Sequence, residues 1–204
     1  RSLPRQCKQL RHLASEVRQH VATGQLHADL EHLRFASRLM DGHVAGFRID
    51  AAKHMASDDV AAIASALPQG TRIMSEVIRG PLEPIQPDDY VPFGEVFEFS
   101  YARDLAPQLT SGMLSDPDLS TERPMHVPSE SAIVFIDNHD TERGGADITY
   151  RDGPLYMVAN ALMFADNYGT PALYSGYAFS DRDAGPPTEA DGTVSPGVCV
   201  PEPS

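Results

Sequence analysis

The chain has 204 residues, 41% of them apolar, with 17 prolines, 15 glycines and a formal net charge of −13 at pH 7. That length suits one sizeable core with an appendage, and the proline and glycine content points to many turns. The negative charge argues against nucleic acid, whose phosphates would be repelled, and suits a soluble protein acting on a neutral or cationic ligand.

No run approaches the roughly 18 apolar residues of a membrane span. The opening Arg1-Ser2-Leu3-Pro4-Arg5-Gln6 lacks the apolar core of a signal peptide. Cys7 and Cys199 lie near opposite ends, and two thiols decide nothing about compartment.

In chain order, Leu10, Leu13, Val17 and Val21 recur at helical spacing across 7–22, stopped by Gly24. Leu26, Leu30, Leu33 and Met40 repeat the pattern across 26–41, closed by Gly42. A strand follows at 44–50, where Phe47 and Ile49 alternate with Gly46 and Arg48. Ser57 is the expected N-cap of a helix through Ala66, which Pro68 ends. A second strand spans 71–78. Pro81, Pro84, Pro87 and Pro92 then mark a loop before a third, 96–101. A helix or irregular turn covers 102–112, and the polar stretch 115–129 is loop. The strongest strand, 131–137, is a continuous apolar run that stops at Asn138-His139-Asp140. A helix over 154–165, a strand over 171–175 and an extended tail from Asp181 complete the chain.

Near-continuous apolar strands separated by helices indicate an α/β fold with a parallel sheet. In such sheets the carboxyl ends of the strands carry the chemistry. Three of them end in acids: Asp50, Glu76 and Asp140. Converging on one rim, they could cleave a glycosidic bond, with one carboxylate as nucleophile and another as proton donor. Arg48, two residues before Asp50 and on the same side of the strand, would keep that carboxylate ionised. Met74, Val77 and Ile78 flank Glu76, an apolar setting suited to the proton donor. Asp140 would add a third charge against a cationic transition state. A strand-end aspartate can equally cap the next helix.

The triplet Asn138-His139-Asp140 also matches a turn used by two-metal phosphoesterases, but the upstream Asp-x-His of such sites is missing. His12, His20, His27 and His32 lack tight ligand spacing. Ser75 and Ser175 lack a nucleophile elbow. Tyr90, Tyr101, Tyr168, Tyr174 and Tyr177 could stack on sugar rings, with core packing as the default.

Gly46-Phe47-Arg48-Ile49-Asp50-Ala51-Ala52-Lys53-His54 resembles the second signature region of the α-amylases of glycoside hydrolase family 13. Ser75-Glu76-Val77-Ile78 resembles the third, and Phe135-Ile136-Asp137-Asn138-His139-Asp140 the fourth. The resemblance runs from about residue 26 to 187. Ser175-Gly176-Tyr177 and Asp183-Ala184-Gly185-Pro186-Pro187 are similar to words of secreted actinobacterial and animal-type members. It implies the C-terminal part, strands 4 to 8, of a (β/α)8 TIM barrel. Residues 1–25 would be a remnant of the inserted calcium-binding domain, 26–180 the second part of the barrel and 181–204 an irregular tail.

The resemblance further implies Asp50 as nucleophile, Glu76 as general acid/base and Asp140 as transition-state stabiliser. Arg48 would orient the nucleophile, His139 would contact the sugar, and Lys53 and His54 would line the leaving-group side. A structural calcium would take the His54 carbonyl, with Asp29 as a carboxylate candidate. Members that bind chloride use positions matching Arg48 and Asn138 plus a basic residue on the last strand, where this chain has Ala172. The implied protein is a secreted monomer hydrolysing internal α-1,4 bonds of starch, glycogen or maltooligosaccharides. The first three strands and the first signature region are missing. The alternatives are a non-catalytic remnant or glucan-binding fragment, and a transglycosylase of the same family.

Overall fold

The computed structural model describes residues 44–112 and 123–195. The helices expected at 7–22 and 26–41, the remnant at 1–25, Asp29 and both cysteines lie outside these residues. Among the described residues there are five strands and three α-helices. They are β1 (Gly46–Ile49), α1 (Ser57–Ala66), β2 (Arg72–Ser75), β3 (Glu95–Phe97), α2 (Ser100–Thr110), β4 (Ala132–Val134), α3 (Pro154–Ala165) and β5 (Thr170–Pro171). The strands form one sheet in the order β1-β2-β3-β4-β5, and the pairings of β1 with β2, β2 with β3 and β3 with β4 are parallel. Strand order that follows chain order is what right-handed β-α-β crossovers produce, and it is the local pattern of a barrel.

The chain divides into two compact units. The described residues of the first are 44–98 and 123–133; those of the second are 99–112 and 134–195. In the first, Ala52, Val60, Val77, Tyr90 and Val96 form a core that Ile49, Met55, Ile85, Val91 and Phe93 extend. Leu67 and Ile73 make a smaller cluster with Phe47, Ile49 and Ala64. At the amino ends of β2 and β3, Arg72 grips Glu95 with two hydrogen bonds, Nε to Oε2 at 2.7 Å and Nη2 to Oε1 at 2.6 Å. This fork fixes the strand pair at the end away from the acids.

In the second unit the apolar run Val134-Phe135-Ile136 is buried. Phe99 packs edge-on against Phe135, with ring centres 4.9 Å apart, and Tyr101 stacks on Tyr168 at 6.3 Å. The Ala172 amide donates to the Val134 carbonyl at 2.8 Å and ties the chain after β5 to β4.

The helix over 154–165 matches its expected bounds, and α1 ends at Ala66 as expected. Pro154 opens α3 from Gly153, whose φ of 50° is the chain reversal that glycine supplies. Three expectations are corrected. Ser57 is the first residue of α1 rather than its cap, and the capping position, Ala56, has no side-chain bond. Ser100 and Tyr101 start α2 instead of ending a strand, because burial of the Tyr101 ring against Tyr168 outweighs its strand propensity. The last strand is only Thr170–Pro171, and after the Ala172 amide the chain is held by side chains such as Tyr174 and Tyr177.

Candidate active site

The parallel register pairs Ile49 with Ser75, so the next residue of each strand, Asp50 and Glu76, emerges at the same carboxyl-terminal edge. The Glu76 amide continues the ladder to the Ile49 carbonyl at 3.0 Å. Arg48 spans the two acids. Its Nη1 donates to Asp50 Oδ1 at 2.6 Å and its Nη2 lies 3.0 Å from Glu76 Oε1. The guanidinium also sits 5.4 Å from the centre of the Phe97 ring. One cation on an apolar platform therefore holds two carboxylates from neighbouring strands. Glu76 is not set in the apolar surroundings expected from its sequence neighbours, since its other oxygen accepts the Ala51 amide at 2.9 Å. Ala51 makes that bond from a left-handed backbone, φ 49° and ψ 36°, which an alanine adopts only under constraint.

Lys53 and His54 follow on a single 3-10 turn, Ala52–His54. Lys53 does not reach freely into solvent: Nζ donates to the Ile78 carbonyl at 2.7 Å and pairs with Glu83. His54 is exposed. Beneath the turn Tyr90 is fully buried, with its hydroxyl 2.7 Å from the Met55 carbonyl and 3.0 Å from that of Ala52. Tyr90 is thus a buttress of the segment that follows Asp50.

Asp140 and His139 belong to the second unit, on a turn closed largely by its own groups. Asn138 Oδ1 accepts the amides of Asp140 at 2.9 Å and Thr141 at 2.8 Å, and Thr141 Oγ1 accepts the Asn138 amide at 2.9 Å. His139 Nε2 is 3.3 Å from Asp140 Oδ2, and both side chains face solvent. Asp140 stands at the capping position of the 3-10 turn Thr141–Arg143 without a side-chain capping bond, so capping does not explain the acid.

Two acids that sequence reasoning passed over flank this turn. Asp137, 2% exposed, accepts the Tyr156 hydroxyl at 2.8 Å; Glu142, 3% exposed, accepts that of Tyr174 at 3.0 Å. Burial pushes the Asp137 carboxyl up to about 6, the Tyr156 bond opposing and the Glu142 charge adding to the rise. Burial, followed by the Glu142 bond, pushes the Tyr174 phenol up to about 12. A third buried acid, Glu98, follows β3 in the first unit and accepts the Val127 amide at 2.9 Å. The available signal was an acid directly continuing an apolar strand, which a strand's even alternation leaves unexplained.

Calcium takes six to eight oxygens. Among the described residues no three His, Cys, Asp or Glu side chains cluster to hold a metal. The His54 carbonyl by itself does not fit that demand, and Asp29 lies outside the described residues. The ligand cluster that a two-metal phosphoesterase needs is likewise not found among the described residues. For chloride, Arg48 is already shared between two carboxylates, and Ala172 brings no charge. Tyr90, Tyr101 and Tyr168 are core residues rather than sugar platforms.

No family model matches the chain. It is 43% identical over 166 residues to an α-amylase of Streptomyces violaceus, covering 81% of this chain and 29% of that protein. An α-amylase of Hypothenemus hampei is 40% identical over 179 residues, covering 80% and 36%. Among solved structures, a variant of α-amylase I from Eisenia fetida in complex with maltohexaose superposes with a TM-score of 0.77 at 28% identity, covering 86% of this chain and 41% of that one. The chain therefore spans about a third of the length of the curated relatives it matches.

Proposed function

We propose that this chain, a relative of the α-amylases corresponding to strands 4 to 8 of their catalytic barrel, carries the acids of a retaining glycoside hydrolase that cuts internal α-1,4 bonds of starch, glycogen and maltooligosaccharides. The observation that carries the proposal is Arg48 holding Asp50 and Glu76 side by side at the ends of two parallel strands. In this reading Asp50 attacks the anomeric carbon to form a glycosyl-enzyme. Glu76 gives its proton to the leaving oxygen and then takes one from the water that hydrolyses the intermediate. Arg48 keeps Asp50 ionised and aimed. Asp140 stabilises the oxocarbenium-like transition state, His139 contacts the sugar, and Lys53 and His54 line the leaving-group side. No step is routed through calcium or chloride.

The maltohexaose bound by the Eisenia relative supports an α-glucan as the ligand class. Secretion and a monomeric state are part of the same reading, by resemblance to the relatives. No helix among the described residues is long and apolar enough to cross a membrane. Starch hydrolysis by the chain, by Asp50→Asn and by Glu76→Gln tests the assignment. Both variants should lose roughly 10²–10⁴-fold in turnover; equal activity of Asp50→Asn and the parent overturns it.

The short coverage of the relatives favours a second reading, in which the isolated polypeptide binds glucan without cleaving it. Thermal melting by circular dichroism with and without maltohexaose separates the two from a remnant that does neither. A cooperative transition raised by the sugar supports binding, and a transition it leaves unmoved argues for the remnant.

A further inference from the structure

In the second unit, six consecutive residues alternate in an informative way. Asp137 and Glu142 are the buried ends, Asn138 and Thr141 are half-buried and close the turn on themselves, and only His139 and Asp140 are exposed. Burying two carboxylates at the feet of one short turn is costly unless each is paired, and leucine would fill either space more cheaply. Each acid is paired with a tyrosine from a different element. Tyr156 comes from α3 and Tyr174 from the chain after β5.

The Glu142 side is also closely packed. A Cβ on Gly176 would come within 2.9 Å of its Oε2, so glycine at 176 leaves room for the carboxylate. The next residue, Arg143, continues the anchoring. Its Nη2 donates to the Tyr177 hydroxyl at 2.5 Å, and its guanidinium lies 4.4 Å from the centre of the Phe179 ring.

We infer that Asp137 and Glu142 are positioning residues, which through the Tyr156 and Tyr174 hydroxyls fix the turn that presents His139 and Asp140. The inference rests on the reading of Asp140 as part of the glucan site. Neither acid touches substrate in this scheme; each supplies an acceptor at a fixed point, one before the turn and one after it.

Residue-resolved amide exchange on the full chain tests this directly, using Tyr156→Phe, Tyr174→Phe, Glu142→Leu and Glu142→Gln. The amides of Asp140 and Thr141, bonded to Asn138 Oδ1, should exchange at least about tenfold faster in both tyrosine variants and in Glu142→Leu, while the β4 amides stay unchanged. Glu142→Gln, which keeps an oxygen for Tyr174, should restore the parent rates. Uniform acceleration across the unit, or no change at the turn, overturns the inference.

In the active protein the tyrosine variants should lower kcat and leave KM in place; a change confined to KM also overturns it. The hydrolase reading fails separately, through unchanged activity of Asp50→Asn.

Discussion

Tyr90 shows how one buried side chain braces the segment that follows Asp50. Its ring fills the first unit's core and its hydroxyl meets the Ala52 and Met55 carbonyls, on either side of Lys53 and His54. Burial, with a smaller push from Asp89, raises the phenol above its usual range, so the hydroxyl keeps its proton. Removing it in Tyr90→Phe takes the hydroxyl donor from the Met55 carbonyl and leaves the Ala52 carbonyl with the Met55 amide alone. We expect a loss of about 1–2 kcal/mol, seen as a drop of roughly 3–6 °C in melting temperature. An unchanged melting temperature would show that the hydroxyl contributes no net stability. By contrast, the Arg48–Asp50 pair is substantially exposed and adds little to stability.

At the scale of elements, the close approach of neighbouring strands depends on glycines. A Cβ on Gly94, just before β3, would stand 2.5 Å from the Ile73 carbonyl oxygen, and one on Gly46 at the start of β1 would stand 2.5 Å from that of Arg72. Both contacts are with backbone, which cannot swing aside. Gly94→Ala should therefore cost about 1–3 kcal/mol by forcing β2 and β3 apart, measurable by urea denaturation. A loss well under that range would mean the loop 87–94 absorbs the shift.

The same elements show what was legible in the sequence. α3 was readable to the residue and α1 to within one, because Pro154 marks the start of the one and Pro68 closes the other. The acids at 50 and 76 were readable because apolar strands stop abruptly in charge. Ser100 and Tyr101 misled because a tertiary contact, Tyr101 on Tyr168, decides their conformation. Asp137 and Glu142 were passed over because a buried acid is recognised by its partners, and Tyr156 and Tyr174 lie 19 and 32 residues away in the chain.

For the whole molecule, a net charge of −13 makes the cost of each buried carboxylate more than local. Asp137 is the clearest case, with its carboxyl raised from 3.8 to about 6 by burial, against the Tyr156 bond and with the Glu142 charge alongside. Between those two values the folded chain holds more protons at this site than the unfolded chain does. The stability it contributes is then fully present below about pH 4 and is lost as pH rises through about pH 6. The shift corresponds to at most about 3 kcal/mol. Ordinary paired carboxylates have the opposite sign and mask the effect in the parent alone, so the comparison must be with Asp137→Asn. Asparagine keeps an acceptor for the Tyr156 hydroxyl and does not titrate. Melted side by side from about pH 4 to about pH 7, the two proteins should start close together. The variant should then gain on the parent as pH rises, with the difference levelling off above about pH 6. Parallel curves over that window would show that Asp137 does not change its protonation on folding.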